Sequence, residues 1–223
     1  CVAILAYPTA GTPFSDHHTL ILCLLSLYSF IFAIKRKSNI YWFLIPVLLG
    51  FSFLSKQAPT VYVIFLILIL SIIYFIKSKN ISNFISALIG VITFLVLFFF
   101  FLFFGEIKLN DFLIQYFSYP MSLGGSRFEW LFPFEFKRII WRYKLQYLSI
   151  AVLIYLFIKF SLVKKNKIFS DYLIITSLII FCLLTVMHQL MTINAIFIYC
   201  LIPIFCGFSH IYSKKYLNGE KMI

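Results

Sequence analysis

Acidic, imidazole and amine side chains lie at the edges of the first two apolar runs of the sequence. Asp16, His17 and His18 come just before the first run, and Lys56 and Gln57 follow the second. A carboxylate can take a proton from a hydroxyl group, and a lysine ammonium binds phosphate as a point charge. These residue types indicate acid–base chemistry on a substrate that carries phosphate.

Each of these residues also has a structural explanation. Ser15 or Asp16 is a good N-cap for a helix that starts there, and Lys56 could extend its ammonium from a helix end to a membrane surface. Adjacent residues of a helix point in different directions, so at most one of His17 and His18 can join Asp16 in one coordination sphere. A zinc site, which needs three or four such ligands, is therefore not expected.

A second polar group lies in the longest connection between apolar runs. It consists of Arg127, Glu129, Lys137, Arg138 and Arg142. Basic residues of this kind bind lipid headgroups, and the same cluster could equally hold a phosphate or pyrophosphate leaving group.

A third polar group consists of His188, Gln189, Thr192 and Asn194. It fits either a polar turn or the mouth of a cavity. The sequence has no P-loop, no GxSxG, no HExxH and no Gly-rich dinucleotide turn, so ATP-driven transport by this chain alone is not expected.

The elements that must position these groups are membrane helices. Of the 223 residues, 63% are hydrophobic and 12% are charged. The apolar runs are continuous and do not alternate as the strands of a membrane barrel do. The predicted fold class is an all-α polytopic membrane protein with about seven transmembrane helices, at 19–34, 40–55, 60–76, 84–104, 147–163, 171–188 and 192–211.

Basic residues crowd every second loop, and this pattern predicts the orientation. The basic loops lie near 35–37, 77–79, 164–167 and 214–221. By the positive-inside rule they face the cytoplasm, and because they are short, chemistry is expected only on the opposite, extracytoplasmic side. The one long outer loop, 105–146, is predicted to contain interfacial amphipathic helices at 107–117 and 134–148.

Charge and cysteine content exclude other classes. The net charge of +12 does not predict nucleic-acid binding, because the cations are spread over short loops between the spans. The five cysteines lack ligand or redox spacing and are interpreted as packing residues. We expect 1–223 to be a single transmembrane domain.

The stretch Pro13–Lys56 resembles part of the GT-C superfamily of integral-membrane glycosyltransferases, in particular the bacterial aminoarabinose and protein mannosyl transferases. In those enzymes an acid opens a span, a basic cytoplasmic turn follows, and the next span ends in a Gly-Leu-Ala-Phe-Leu-Thr-Lys type of sequence. Here Asp16 opens the span, 35–37 is the basic turn, and Gly50–Gln57 reads GFSFLSKQ. Beyond this stretch only the architecture is similar.

The resemblance implies an enzyme of the bacterial inner membrane that transfers a sugar from a polyprenyl-phosphate donor to a lipid, glycan or protein acceptor on the extracytoplasmic face. It implies that Asp16 lies near the acceptor or a divalent cation, Mg²⁺ or Mn²⁺, and that Lys56 lies near the donor phosphate. The other candidate substrate-binding residues are His17, His18, Gln57, Arg127, Glu129, Arg138 and His188.

One feature of the family is absent from this sequence. The main catalytic acid of the family lies in an outer loop that follows an earlier span, and no such region precedes Asp16 here. Because the chain begins with Cys1, we expect it to be a fragment whose first span, first outer loop and general base lie upstream.

Two other functions fit parts of the sequence. A transporter or lipid flippase would place polar residues near the middle of the membrane, whereas Pro46 and Pro203 are the main interruptions of these spans. A polysaccharide polymerase or ligase would use the same face and the same lipid carrier, and Arg127, Arg138 and His188 would then matter more than Asp16.

Overall fold

The computed structural model describes residues 15–122, 135–162, 169–192 and 196–217. Every regular element in these ranges is helical, which confirms the all-α fold class. The α-helices are α1 (Ser15–Arg36), α2 (Asn39–Ser55), α3 (Gln57–Ser78), α4 (Ile81–Phe104), α5 (Leu109–Leu113), α6 (Lys144–Leu162), α7 (Phe169–Thr192) and α8 (Ile202–Tyr216). Ile114–Ser118 and Lys137–Trp141 form π-helical turns, and Ile196–Leu201 is a 3₁₀-helix.

Five helices are long and apolar enough to cross a membrane, namely α1, α3, α4, α6 and α7. Helix α2 is apolar but has only 17 residues. The predicted span at 192–211 is divided between the end of α7, the 3₁₀-helix and α8, because Pro203 lies in the first turn of α8, where a proline starts a helix well. The predicted number of seven spans is therefore not confirmed.

The long connection differs in detail from its prediction. Helix α5 and the π-helical turn Ile114–Ser118 replace the single helix expected at 107–117. The helix expected at 134–148 is found as the turn Lys137–Trp141 followed by the start of α6. Arg127 and Glu129 lie outside the described residues.

Helix α4 lies at the edge of the bundle, whereas α1 and α7 lie at its centre. Only 11% of the most apolar part of α4 is buried, against 61% for α1 and for α7. The exposed face of α4 carries large apolar side chains such as Val96, Phe100 and Phe103. A helix that is apolar all round is typical of a membrane span.

Glycines allow α4 to approach α2 closely. A Cβ atom added at Gly90 would lie 2.3 Å from the carbonyl oxygen of Phe43 and 2.7 Å from Cγ of Pro46. A Cβ atom added at Gly50 would lie 2.3 Å from the ring of Phe94. The backbone contact at Gly90 cannot be relieved by moving a side chain.

We therefore expect Gly90→Ala to separate α2 from α4 and to lower the free energy of unfolding by about 1–3 kcal/mol, the usual cost of overpacking. The thermal unfolding midpoint of the purified protein in detergent measures this loss. Gly207→Ala is the matched control, because nothing lies within 4 Å of a Cβ atom at that position in α8. An unchanged midpoint in Gly90→Ala would contradict the close contact.

Ion pairs at both ends join α1 to α7 and show that these helices run antiparallel. Asp16, at the start of α1, contacts His188 near the end of α7. Asp171, at the start of α7, contacts Lys35 near the end of α1. Asp16 and Lys35 are separated by ~28 Å along the helix at 1.5 Å per residue, close to the ~30 Å of a bilayer hydrocarbon core. We name the two ends of the bundle the Asp16 end and the Asp171 end.

Candidate functional site

One carboxylate from α1, one ammonium from the link between α2 and α3, and one imidazole from α7 meet at the Asp16 end. The Nζ atom of Lys56 lies 2.5 Å from Oδ1 of Asp16, and Nε2 of His188 lies 3.4 Å from the same oxygen. Because an ionised carboxylate only accepts hydrogen bonds, Nε2 of His188 is the donor. We call these three residues the Asp16 site.

The Asp16 site is only partly open to its surroundings. The side chains of Asp16 and Lys56 are 14% and 24% exposed, and that of His188 is 3% exposed. A cavity of about 10 Å³ lies beside the site. Its lining includes Asp16, Leu20, Thr185, His188 and Gln189. This volume is about that of a single water probe, so a sugar requires the site to open.

A non-helical link between α2 and α3 carries Lys56. Lys56 has extended backbone angles (φ −165°, ψ 131°), and Ala58 is also non-helical (φ −101°, ψ 129°). The extended backbone ends α2 at Ser55, and the chain then reverses direction into α3. Lys56 thereby lies on the link, where its side chain reaches back to the first turn of α1.

A buried polar network beneath Lys56 fixes this link to α1. Ser52 Oγ donates to the carbonyl oxygen of Thr19 (3.2 Å) and lies 3.1 Å from Sγ of Cys23. Thr60 Oγ1 lies 2.8 Å from Ser52 Oγ and donates to the carbonyl oxygen of Lys56 (2.8 Å). The spacing of four residues between Ser52, Lys56 and Thr60 is the sequence signal that could have predicted this network.

We expect Thr60→Val to lower the free energy of unfolding by about 1–2 kcal/mol, because it removes a buried hydroxyl shared by Ser52 and the Lys56 carbonyl. Thermal unfolding in detergent measures the change. Thr176→Val is the matched control, since the Thr176 hydroxyl donates to the carbonyl of Tyr172 four residues earlier in its own helix. Equal effects of the two substitutions would contradict a special role for the network.

The other predicted site residues that the structure describes lie at the same end but in different settings. His17 is buried and His18 is exposed, so the two imidazoles diverge as the helix geometry predicts. Gln57 Nε2 donates to the carbonyl oxygen of Tyr116 (3.0 Å). Arg138 donates from Nη2 to the carbonyl oxygen of Leu190 (3.0 Å), two residues after His188.

A large cleft begins next to the Lys56 link. It has a volume of about 980 Å³ and lies between α2, α4 and the segment that contains α5. Its lining is mainly apolar, and four exposed polar or charged residues of the segment 106–115 also contribute to it. The apolar lining includes Phe51, Leu54, Phe94, Leu97, Phe98 and Phe101, and the exposed polar residues are Glu106, Lys108, Asp111 and Gln115.

The segment beside the cleft is tied to the Lys56 link. The hydroxyl of Tyr116 donates to the carbonyl oxygen of Leu54, and Tyr116 itself accepts the hydrogen bond from Gln57 through its backbone. Burial raises the pKa of Tyr116, so its hydroxyl stays protonated and remains a donor. Tyr143, just before α6, is also buried, and burial raises its pKa to about 12, which excludes it as a base near neutral pH.

The described residues at the Asp16 site do not fit a divalent cation. Its carboxylate oxygen faces an ammonium, whose positive charge repels a metal ion. Within the ranges that the structure describes, no group of three or more His, Cys, Asp or Glu side chains could hold a metal ion. The Mg²⁺ or Mn²⁺ ion implied by the resemblance stays a prediction that these contacts do not favour.

A second cluster, which sequence reasoning missed, lies at the Asp171 end. Asp171 is 4% exposed and accepts hydrogen bonds from Lys35, Lys215, Tyr212 and Tyr216. Because the loops at this end are short and basic, the sequence predicts no functional site here. The available signal was a single acid at the start of an apolar run, directly after a lysine-rich loop.

No family model, no curated protein and no solved structure matches the chain. The resemblance to membrane glycosyltransferases therefore stays a prediction from the residues between Pro13 and Lys56.

Proposed function

We propose that this chain is part of a membrane glycosyltransferase that transfers a sugar from a polyprenyl-phosphate donor to an acceptor hydroxyl at its Asp16 end. The observation that carries the proposal is the contact of Asp16 with Lys56 at 2.5 Å, near a mainly apolar cleft whose lining includes Ser55, the residue before Lys56. The reaction needs a carboxylate near a cation, and the carrier lipid needs an apolar cleft beside that cation.

The orientation of the chain is part of the proposal. The helices cross the inner membrane of a bacterium, with the Asp171 end in the cytoplasm and the Asp16 end on the extracytoplasmic side. The positive-inside rule supports this orientation, because Lys35 and Arg36 end α1 at the Asp171 end and Lys37 follows directly. Polyprenyl-phosphate sugars and their acceptors would then meet at the Asp16 end.

Lys56 would bind the phosphate of the donor, and Asp16 would act on the acceptor. The bond between the anomeric carbon and the phosphate oxygen breaks, and the acceptor oxygen forms a new bond to that carbon. The acceptor proton passes to a carboxylate, and polyprenyl phosphate leaves with its charge stabilised by the lysine. As the phosphate attracts Lys56, the ion pair with Asp16 weakens, so donor binding frees the carboxylate to accept a proton.

The cleft would hold the prenyl chain of the donor. Its volume of about 980 Å³ lies at the upper end of the range for ligand pockets, and aromatic side chains from α2 and α4 dominate its walls. Because Ser55, the residue before Lys56, lines the cleft, a prenyl chain bound there would leave the phosphate close to Lys56. His188, which donates to Asp16, would orient the carboxylate.

Sugar transfer by the full-length protein in reconstituted vesicles tests this function. The substrate is polyprenyl phosphate that carries a radiolabelled sugar, presented with an extract of envelope lipids and glycans as acceptors. We expect label to move covalently from the polyprenyl carrier to an acceptor. Movement of the intact labelled lipid from one leaflet of the vesicle membrane to the other, without chemical change, would support the flippase alternative.

The polymerase or ligase alternative has one observation in its favour. Arg138 donates to the carbonyl oxygen of Leu190, and Leu190 is only two residues after His188. Arg138 therefore lies at the same end of the bundle as His188. If that alternative holds, Arg138→Ala and His188→Ala would reduce transfer more than Asp16→Ala and Lys56→Ala. The transferase proposal predicts the opposite order.

A further inference from the structure

The buried carboxylate of Asp171 has hydrogen-bond donors on both oxygens. Lys35 and Tyr212 donate to Oδ1, and Lys215 and Tyr216 donate to Oδ2. These donors come from the last turn of α1 and the last turns of α8. The carboxylate is thus saturated, and it has no capacity left for a further ligand.

The two ammonium groups are different, because each still has N–H groups to offer. The side chains of Lys35 and Lys215 are 39% and 48% exposed, and an ammonium has three donors. Since they bind different oxygens of one carboxylate, the two nitrogen atoms lie within about 8 Å of each other. Two positive charges against one negative charge leave an excess of positive charge at this point.

Other basic residues lie close to the lysine pair at the helix ends, and apolar side chains lie one turn further toward the middle of the helices. Arg36 and Lys214 are exposed next to the pair in sequence. Of the acids that the structure describes, only Asp171 lies at this end. About one helical turn before the lysines, Phe32 and Ile211 are exposed apolar side chains.

We propose that Lys35 and Lys215 bind the phosphate of an anionic phospholipid, whose acyl chains lie against Phe32 and Ile211. Asp171 holds the two ammonium groups at a spacing that one phosphate can bridge, which lowers the entropic cost of binding. Clusters of basic residues at the ends of membrane helices bind anionic headgroups. This site is independent of the proposed transferase reaction, since it lies at the opposite end of the bundle.

The shift of the thermal unfolding midpoint on adding lipid to the full chain in detergent micelles tests the site. Phosphatidylglycerol is the probe, phosphatidylcholine is the neutral-headgroup comparison, and inorganic phosphate is the lipid-free comparison. We expect phosphatidylglycerol to raise the midpoint well above the other two. Equal stabilisation by phosphatidylcholine or by inorganic phosphate would overturn a phospholipid site.

The variant K35Q/K215Q is expected to raise the half-saturating concentration of phosphatidylglycerol about tenfold. The matched control K37Q/K79Q removes the same charge at the same end, from lysines that are exposed. A tenfold weakening in the control as well would mean diffuse attraction and would overturn the site.

Removing both lysines also leaves the buried Asp171 carboxylate without its cations, which is destabilising. The triple variant K35Q/K215Q/D171N removes that carboxylate together with its partners and gives a second way to measure binding. K35R/K215R keeps both charges and is expected to retain lipid binding within about threefold. Unchanged binding in the triple variant, or loss in the arginine variant equal to that in K35Q/K215Q, would contradict the proposal.

Discussion

Asp16→Asn in the full-length protein is expected to lower kcat for sugar transfer by about 10²–10⁴-fold, the usual contribution of a general base, because the proposed reaction gives that role to Asp16 and not to an acid upstream of Cys1. The amide has the shape of the carboxylate, and its oxygen can still accept hydrogen bonds from Lys56 and His188. It cannot take a proton from the acceptor. The measurement is the initial rate of transfer from radiolabelled polyprenyl-phosphate sugar, normalised to the amount of folded protein.

Glu135→Gln is the matched control for this substitution. Glu135 is an exposed carboxylate in the connection before α6, and it is not part of the Asp16 site. We expect the control to transfer sugar at the wild-type rate and both variants to elute from size exclusion as the wild type does. Undiminished transfer by the Asp16→Asn protein would remove Asp16 from the reaction.

Lys56→Met is expected to weaken the binding of polyprenyl phosphate by about 10–100-fold, because a charge-assisted hydrogen bond contributes about 1.5–3 kcal/mol. Methionine keeps much of the apolar stem of lysine and removes the ammonium. The measurement is the dissociation constant of the carrier lipid in detergent. Binding of the uncharged polyprenol, measured in parallel, is expected to change little.

The comparison between the two lipids separates a phosphate contact from a structural effect. If Lys56→Met weakened polyprenol and polyprenyl phosphate equally, the substitution would have distorted the cleft. Lys144→Met is the matched control, since Lys144 is an exposed lysine at the start of α6, at the Asp16 end. We expect it to bind polyprenyl phosphate as the wild type does, whereas a loss equal to that of Lys56→Met would contradict a specific contact.

The pairing of Asp16 with Lys56 could be foreseen because it is a local consequence of topology. A helix that starts at Asp16, a short basic turn and a second apolar helix bring the two ends of a hairpin together. The apolar runs also defined five helices that are long enough to cross a membrane, with boundaries within a few residues of those observed. The length of each apolar run and the polar residues at its ends can be read directly from the sequence.

Contacts between helices distant in sequence could not be foreseen in the same way. His188 is 172 residues from Asp16, and periodicity does not show which face of α7 meets α1. The Asp171 cluster was missed because charge counting treats each loop separately, although α1, α7 and α8 bring their charges to one point. The last span is divided at Pro203 because this proline begins α8, which mean hydropathy does not register.

The most direct test of the central claim is a structure of the full-length protein with polyprenyl phosphate bound. We expect the phosphate to lie within about 3 Å of the Lys56 ammonium, the length of a hydrogen bond. We also expect the prenyl chain to occupy the cleft lined by Phe51, Phe94 and Phe98, and the Asp16 carboxylate to have moved away from Lys56. A phosphate bound far from Lys56, with the Asp16–Lys56 pair intact and the cleft empty, would contradict the proposed function.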